Sequence, residues 1–126
     1  MHENDIAKIV VDAAFRVHNV LGPGLFESVY EAALFLELTR YRGLAVNRQV
    51  SVPATYRGVD LGLAFRADLV VEDKVIIELK SLEMVLKVHK KQVITYLKLT
   101  DCKLGLLINF NENLIKDGIT RIVNGL

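Results

Sequence analysis

The sequence predicts one α/β domain in which helices flank a mixed β-sheet. Three observations support this prediction: two amphipathic stretches open the chain, three strand-like stretches follow closely on one another, and a third amphipathic stretch leads into an almost continuous apolar run. A strand, a helix and a further strand in succession form a crossover connection, so the last two strands are expected to pair in parallel. The predicted element order is therefore α–α–β–β–β–α–β.

The composition is that of an ordinary globular domain. The 126 residues are 52% hydrophobic and 25% charged, which predicts a single domain over residues 1–126 that buries roughly two-thirds of its unfolded surface. The net charge of +1 creates no global field that would attract nucleic acid, so any basic surface must be local. Cys102 is the only cysteine, which excludes an internal disulfide and a multi-cysteine zinc site. The opening residues are acidic and no apolar run approaches a membrane span, so we expect a cytoplasmic location.

The first two elements are predicted to be helices. Apolar residues recur at steps of three and four from about Asn4 to Leu21, which indicates an amphipathic first helix. Gly22-Pro23-Gly24 ends it, because glycine frees the backbone and proline lacks an amide donor. The second helix is predicted to start near Ser28, where Ser28 and Glu31 fit a capping box, and to end around residues 41–43.

Three strands are predicted next. The first is Val46–Tyr56, whose buried side is expected to carry Val46, Val50, Val52, Ala54 and Tyr56. Pro53 within it predicts an edge strand or a bulge, because proline cannot donate to a strand ladder. The second strand is predicted over about Leu61–Val71 and the third over Val75–Lys80.

A third helix and a fourth strand complete the predicted sheet. The helix is predicted over about Leu82–Leu99, with a sheet-facing stripe of Leu82, Val85, Leu86, His89, Gln92, Val93, Tyr96 and Leu97. The apolar run Leu104–Phe110 is typical of an interior strand that is covered on both faces. The tail Gly118–Val123 fits either a short strand or a helical turn.

The hairpin formed by the second and third strands holds three ionisable residues in apolar surroundings: Asp68, Glu78 and Lys80. Unpaired charges in a buried strand are costly, and side-chain alternation places Glu78 and Lys80 on one face. A three-residue loop at residues 72–74 would set Asp68 opposite Glu78, whereas a two-residue loop would send it to the other face. In the first register, two carboxylates and an ammonium group converge, which suits a divalent metal held against a phosphate.

These residues bring the chain close to a known superfamily. Asp68 followed by Glu78-Leu79-Lys80 resembles the PD-(D/E)xK nuclease signature, although position 67 is alanine where the name has proline. The element order resembles the restriction-endonuclease-like αβββαβ core, with a mixed four-stranded sheet flanked by helices and an extra N-terminal helix. The stretch from Gly24 to Tyr30 looks like the motif of the small bacterial GxxExxY proteins, which are grouped with this superfamily. The resemblance spans about residues 9–122.

The resemblance implies a metal site. Asp68 and Glu78 would ligate Mg²⁺ or Mn²⁺, and the backbone carbonyl of Leu79 would be a further ligand. Lys80 would orient the attacking water and stabilise charge on the phosphate. Glu27 matches an acidic residue that some superfamily members place beside the metal.

The resemblance also implies a role for the third helix. Gln92 and Tyr96 resemble the Gln-x3-Tyr motif of exonuclease-like branches, although Gln92 could instead satisfy a buried backbone group. The implied reaction is hydrolysis of phosphodiester bonds, with DNA as the partner. A domain of this size has no separate module for reading sequence, so specificity would require a homodimer or a partner protein.

Plainer explanations fit several of the same residues. Glu78 and Lys80 could form an ion pair on an exposed sheet surface, and Glu27 could complement the helix dipole. Tyr30 and Tyr96 could be core aromatics with hydrogen-bonded hydroxyls. Three functions therefore stay open: a metal-dependent nuclease, a nuclease-fold module that binds nucleic acid or protein without cleavage, and a structural domain in which the charges form a stabilising network.

Overall fold

The computed structural model describes all residues from 1 to 126. Its helices are α1 (Glu3–Leu21), α2 (Glu27–Leu36), which continues into a π-helical turn (Glu37–Tyr41), and α3 (Lys87–Thr100). Its strands are β1 (Val46–Tyr56), β2 (Val59–Val71), β3 (Val75–Lys80), β4 (Leu104–Asn109) and β5 (Ile119–Val123), and a 3-10 turn (Ile115–Gly118) leads into β5. None of the helices combines the length and apolar character needed to cross a membrane.

The strands form one mixed sheet in the order β1-β2-β3-β4-β5. β3 and β4 are parallel, as the crossover through α3 predicts, and all other neighbours are antiparallel. The sheet has five strands rather than the predicted four, because the tail forms a strand that pairs with β4. All six residues of β4 are buried, which confirms the prediction of an interior strand.

Two hydrophobic clusters cover the two faces of the sheet. The larger one packs α1 and α2 against one face, where Val75, Ile77 and Leu79 of β3 point. The smaller one contains Val93 of α3 and Ile76 of β3. Because neighbouring residues of a strand point to opposite faces, α3 lies on the face opposite α1 and α2.

The β1–β2 hairpin changes faces along its length. Val46 packs against the α1–α2 cluster, whereas Val52 belongs to the α3 cluster, so the prediction that they share one side is wrong. On β2, Leu69 and Ala67 divide between the two clusters in the same way. On β1, between Val46 and Val52, Gln49 has φ 49°, a left-handed conformation that interrupts the regular alternation of the strand.

The hairpin also extends well beyond the rest of the sheet. β3 pairs with β2 only over Leu69–Val71, so the preceding part of β2 has no strand on that edge, and all residues from 59 to 66 are exposed. We call residues 51–66 the arm. β1 is an edge strand with a register shift between Pro53 and Thr55, so both consequences expected of the proline occur.

One predicted helix cap and one predicted helix start are wrong. α2 begins at Glu27 with Phe26 as its N-cap and without a side-chain cap, so there is no capping box. α3 begins at Lys87 rather than Leu82. The buried Asn109 ties Leu82 to β4 instead, because the Leu82 N–H donates to Asn109 Oδ1 (3.0 Å) and Asn109 Nδ2 donates to the Leu82 carbonyl (2.9 Å).

Candidate functional site

Asp68 and Glu78 meet where β2 and β3 separate. Val71 pairs with Val75, so the turn has the three-residue register that sets Asp68 opposite Glu78. The Asp68 N–H donates to Glu78 Oε1 (3.0 Å), and the Leu79 N–H donates to Asp68 Oδ2 (2.8 Å). Each carboxylate is thus anchored to the backbone of the opposite strand, and the two acidic groups lie side by side.

The protein does not neutralise this pair of carboxylates. Burial raises the pKa of Asp68, and the charges of Glu31 and Glu27 raise it further, against a backbone hydrogen bond and the charge of Lys80. Burial and the neighbouring Asp68 raise the pKa of Glu78 from its ordinary 4.5 to about 8. Two acidic groups in a poorly solvated place favour either a proton or a bound cation.

Helix α2 brings two further carboxylates toward Asp68. Glu27, its exposed first residue, acts on the pKa of Asp68, and it also stands where a carboxylate complements the helix dipole. Glu31 is only 8% exposed and pairs with Arg48 at 3.0 Å. Gln49 Nε2 donates to Glu31 Oε1 and, at 3.4 Å, to Asp68 Oδ1, and so links the helix to the strand pair.

Sequence reasoning missed the role of Glu31, which it placed in a capping box. The spacing of Glu27 and Glu31 was the available signal, since residues four apart share one face of a helix. That spacing predicts two carboxylates directed to the same side of α2. Arg48 and Gln49 carried no comparable signal, because their contacts with Glu31 join a strand to a helix.

Lys80 follows Glu78 by two residues and is half-buried. It takes part in none of the ion pairs of the structure. Glu78 itself is only 6% exposed, so the explanation of Glu78 and Lys80 as an exposed surface ion pair is wrong. The Lys80 charge lowers the pKa of both carboxyl groups, which places its ammonium group near them but free to bind a ligand.

Helix α3 contributes Tyr96 but does not direct Gln92 inward. Burial and the charges of Glu78 and Asp68 raise the pKa of Tyr96, so its hydroxyl stays protonated beside the carboxylates. Gln92 is exposed and its amide makes no hydrogen bond within the protein, so the prediction that it faces the sheet is wrong. It lies one turn before Tyr96 on the same helix.

Tyr30, the last residue of the glycine–glutamate–tyrosine motif, has a structural role. It is fully buried and stacks on Phe110 with ring centroids 4.5 Å apart. Its hydroxyl donates to the Gly22 carbonyl (2.5 Å) and accepts from the Leu25 N–H (3.1 Å). The core explanation of Tyr30 is therefore confirmed, and its bonds fix the loop that leads into Glu27.

The donor chemistry of this region fits a hard cation such as Mg²⁺. Glu78 uses one oxygen to accept a backbone N–H and keeps its second oxygen for another partner. Asp68 also accepts a backbone N–H with one oxygen, and its second oxygen accepts only the long 3.4 Å bond from Gln49. No three acidic, histidine or cysteine side chains are arranged to hold a metal ion by themselves. Mg²⁺ ordinarily keeps several waters and takes only one or two carboxylates, so two donors are sufficient.

Comparison with known proteins gives a family. A search of curated proteins and a search of solved structures each returned no match. The family model described as the PD-(D/E)XK nuclease superfamily matches residues 4–122. The α/β architecture, with its mixed sheet and added N-terminal helix, agrees with a restriction-endonuclease-like fold. On this match and this architecture, the chain belongs to the PD-(D/E)XK nuclease superfamily.

Proposed function

We propose that this protein is a nuclease that hydrolyses phosphodiester bonds in DNA with the help of Mg²⁺ or Mn²⁺. The observation that carries the proposal is the pair of half-buried Asp68 and buried Glu78, in which burial and mutual repulsion raise the pKa of Glu78 to about 8. Such a pair is costly for folding and useful for holding a cation. Membership of the nuclease superfamily supports the reaction class.

Each residue has a distinct task in this proposal. Asp68 and Glu78 would hold the metal, with Glu27 and the Leu79 carbonyl as additional oxygen donors. When bound there, Mg²⁺ or Mn²⁺ would act as a Lewis acid on the phosphate and would make the attacking water more acidic. Lys80 donates to the phosphate and orients that water, since its ammonium group is a compact charge with rotatable donors.

Helix α3 assists from the other side of the site. The protonated Tyr96 hydroxyl serves as a further donor, and Gln92 lies on the exposed surface one turn away. Lys87, Lys90 and Lys91 are exposed on the same helix and provide local positive charge for a nucleic-acid backbone. A local cluster of lysines can attract a nucleic-acid backbone even though the net charge of the whole chain is only +1.

Cleavage assays test the proposal directly. Purified protein with Mg²⁺ or Mn²⁺ should cleave DNA, and a chelator should abolish the reaction. Lys80→Ala should remove most turnover while sparing metal binding, whereas Glu78→Ala should remove both. Lys98→Ala, a change at an exposed lysine late in α3, is the matched control and should leave cleavage unchanged.

One observation favours a second candidate, a nuclease-fold module that binds nucleic acid or protein without cleavage. Asp68 and Glu78 each already accept a backbone N–H, and Asp68 also accepts from Gln49, so the protein itself holds both carboxylates in place. Metal-binding calorimetry combined with cleavage assays separates the two candidates. Metal binding at this site with single-stranded, double-stranded and branched DNA and RNA all left intact would favour the binding module.

A further inference from the structure

An aromatic pair lies beside the two carboxylates. Phe65, on the arm, contacts Tyr96, on α3, with ring centroids 5.5 Å apart and planes inclined by 40°. Phe65 is 43% exposed, although its cross-strand neighbour Val52 is buried in the α3 cluster. An aromatic face is therefore open to solvent at the end of the arm nearest to Asp68.

Packing alone does not account for this exposed ring. β3 pairs with β2 only from Leu69 onward, so Phe65 lies beyond the reach of β3, and apart from Tyr96 its ring stays open to solvent. The Tyr96 hydroxyl makes no hydrogen bond within the protein, and it lies close enough to Glu78 and Asp68 to feel both charges. The pair thus joins an apolar surface to the edge of the acidic site.

We propose that Phe65 and Tyr96 bind an unpaired nucleobase of the strand whose phosphate lies at Asp68 and Glu78. The inference rests on the proposed function and names its substrate: single-stranded DNA or the frayed end of a duplex. A base can stack on a protein ring only when one of its own faces is free. In an intact duplex both faces are covered by neighbouring bases, so the pair selects against it.

The test measures the contribution of bases to binding, with Ca²⁺ in place of Mg²⁺, because Ca²⁺ still neutralises the carboxylates but lacks the strict octahedral geometry of Mg²⁺ and should not support cleavage. Fluorescence anisotropy compares a single-stranded oligonucleotide with a strand of equal length that carries abasic positions and with the intact duplex. The base-containing strand should bind at least about fivefold more tightly than the abasic strand, the lower end of what one base–aromatic stack contributes. Both strands carry the same phosphates, so the difference isolates the bases.

Two substitutions at one position sharpen the test. Phe65→Leu should bring the ratio of the two affinities close to one, while Phe65→Trp should keep it. The chain contains no tryptophan, so the introduced indole is a unique reporter whose emission should be quenched by the base-containing strand only. Tyr41→Leu, at a 65% exposed aromatic after α2, is the control and should leave the ratio unchanged.

The outcomes separate this inference from the proposed activity. Equal binding of base-containing and abasic strands, or a ratio that survives Phe65→Leu in protein with a wild-type melting curve, overturns the base site even if the enzyme cleaves DNA. Discrimination that Phe65→Leu abolishes supports the base site even if no cleavage is found. Failure of the wild-type protein to bind any single strand also overturns it.

Discussion

At the scale of single residues, the main feature is a carboxylate pair that the protein leaves without a counterion. Asp68 and Glu78 are fixed by backbone hydrogen bonds across the fork between β2 and β3. Lys80 acts on both groups without pairing with either. The resulting rise in the pKa of Glu78 makes the stability of the metal-free protein depend on pH.

We predict that the metal-free protein loses stability as the pH rises. The pKa of Glu78 is about 8 in the folded state against its ordinary 4.5, so between these values the folded state binds more protons than the unfolded state. The free energy of unfolding must then fall as the pH increases from about 4.5 to about 8. Urea denaturation in chelator at pH 5, 6.5 and 8 measures it, and Glu78→Gln should flatten the profile. A wild-type profile no steeper than that of Glu78→Gln would contradict the assignment.

Gln49 combines a strained backbone conformation with side-chain hydrogen bonds to two carboxylates. Its amide joins Glu31 to Asp68, and its φ of 49° costs about 1 kcal/mol or more for a side chain other than glycine. Gln49→Ala should weaken metal binding severalfold and lower the melting temperature. Gln49→Gly should weaken metal binding equally but melt above Gln49→Ala, since glycine relieves the strain. Calorimetry and thermal melts measure both, and unchanged metal affinity in both variants would show that the amide does not position Asp68.

At the scale of elements, the loop between α1 and α2 determines where Glu27 lies. Tyr30 closes that loop by bonding the Gly22 carbonyl and the Leu25 N–H, and its ring stacks on Phe110. The Gly24–Tyr30 motif therefore contributes to the site indirectly. Its buried tyrosine fixes the loop, and the loop fixes the start of α2, where Glu27 lies.

We predict that Tyr30→Phe destabilises the protein by about 2 kcal/mol, because two hydrogen bonds are lost while the ring contacts stay. The urea midpoint should fall with an unchanged dependence on denaturant concentration. Tyr41→Phe, at an exposed position, should have no effect. A Tyr30→Phe protein as stable as wild type would show that the hydroxyl does not support the loop.

Sequence patterns predicted most elements but not all of their ends. The alternation and turn residues gave β1 and β3 with the bounds that the structure has, and periodicity gave α1 within a residue. The start of α3 was wrong because Asn109, far along the chain, bonds both backbone groups of Leu82. The capping box was wrong because Glu31 bonds Arg48 and Gln49 instead. Hydrogen bonds with residues that are distant in the sequence cannot be predicted from a local sequence pattern.

At the scale of the whole molecule, the candidate site draws on five elements: α2, β1, β2, β3 and α3. Its carboxylates lie between Glu27 and Glu78 in sequence and meet only in the folded chain. A ligand that binds this constellation binds the folded state and not the unfolded chain. The proposed metal binding would therefore stabilise the folded state.

We predict that Asp68→Asn holds or raises the melting temperature in chelator, because it removes repulsion while the amide oxygen can still accept the Leu79 N–H. Added Mg²⁺ should raise the melting temperature of the wild-type protein by mass action and that of Asp68→Asn much less. Differential scanning fluorimetry across a Mg²⁺ series measures both effects. A large loss of stability in Asp68→Asn without metal would instead indicate a structural role for the carboxylate.

The sequence alone determined the fold class and the parallel pairing of β3 with β4. These follow from local alternation and from the crossover connection through one helix. Only the tertiary structure decided between the two possible registers of Asp68 and Glu78, and only it decided the fifth strand, the change of face at Gln49, the contact of Glu31 with β1 and the exposed ring of Phe65. Each of these features depends on contacts between residues that are far apart in the sequence, and such contacts form only when the whole chain packs.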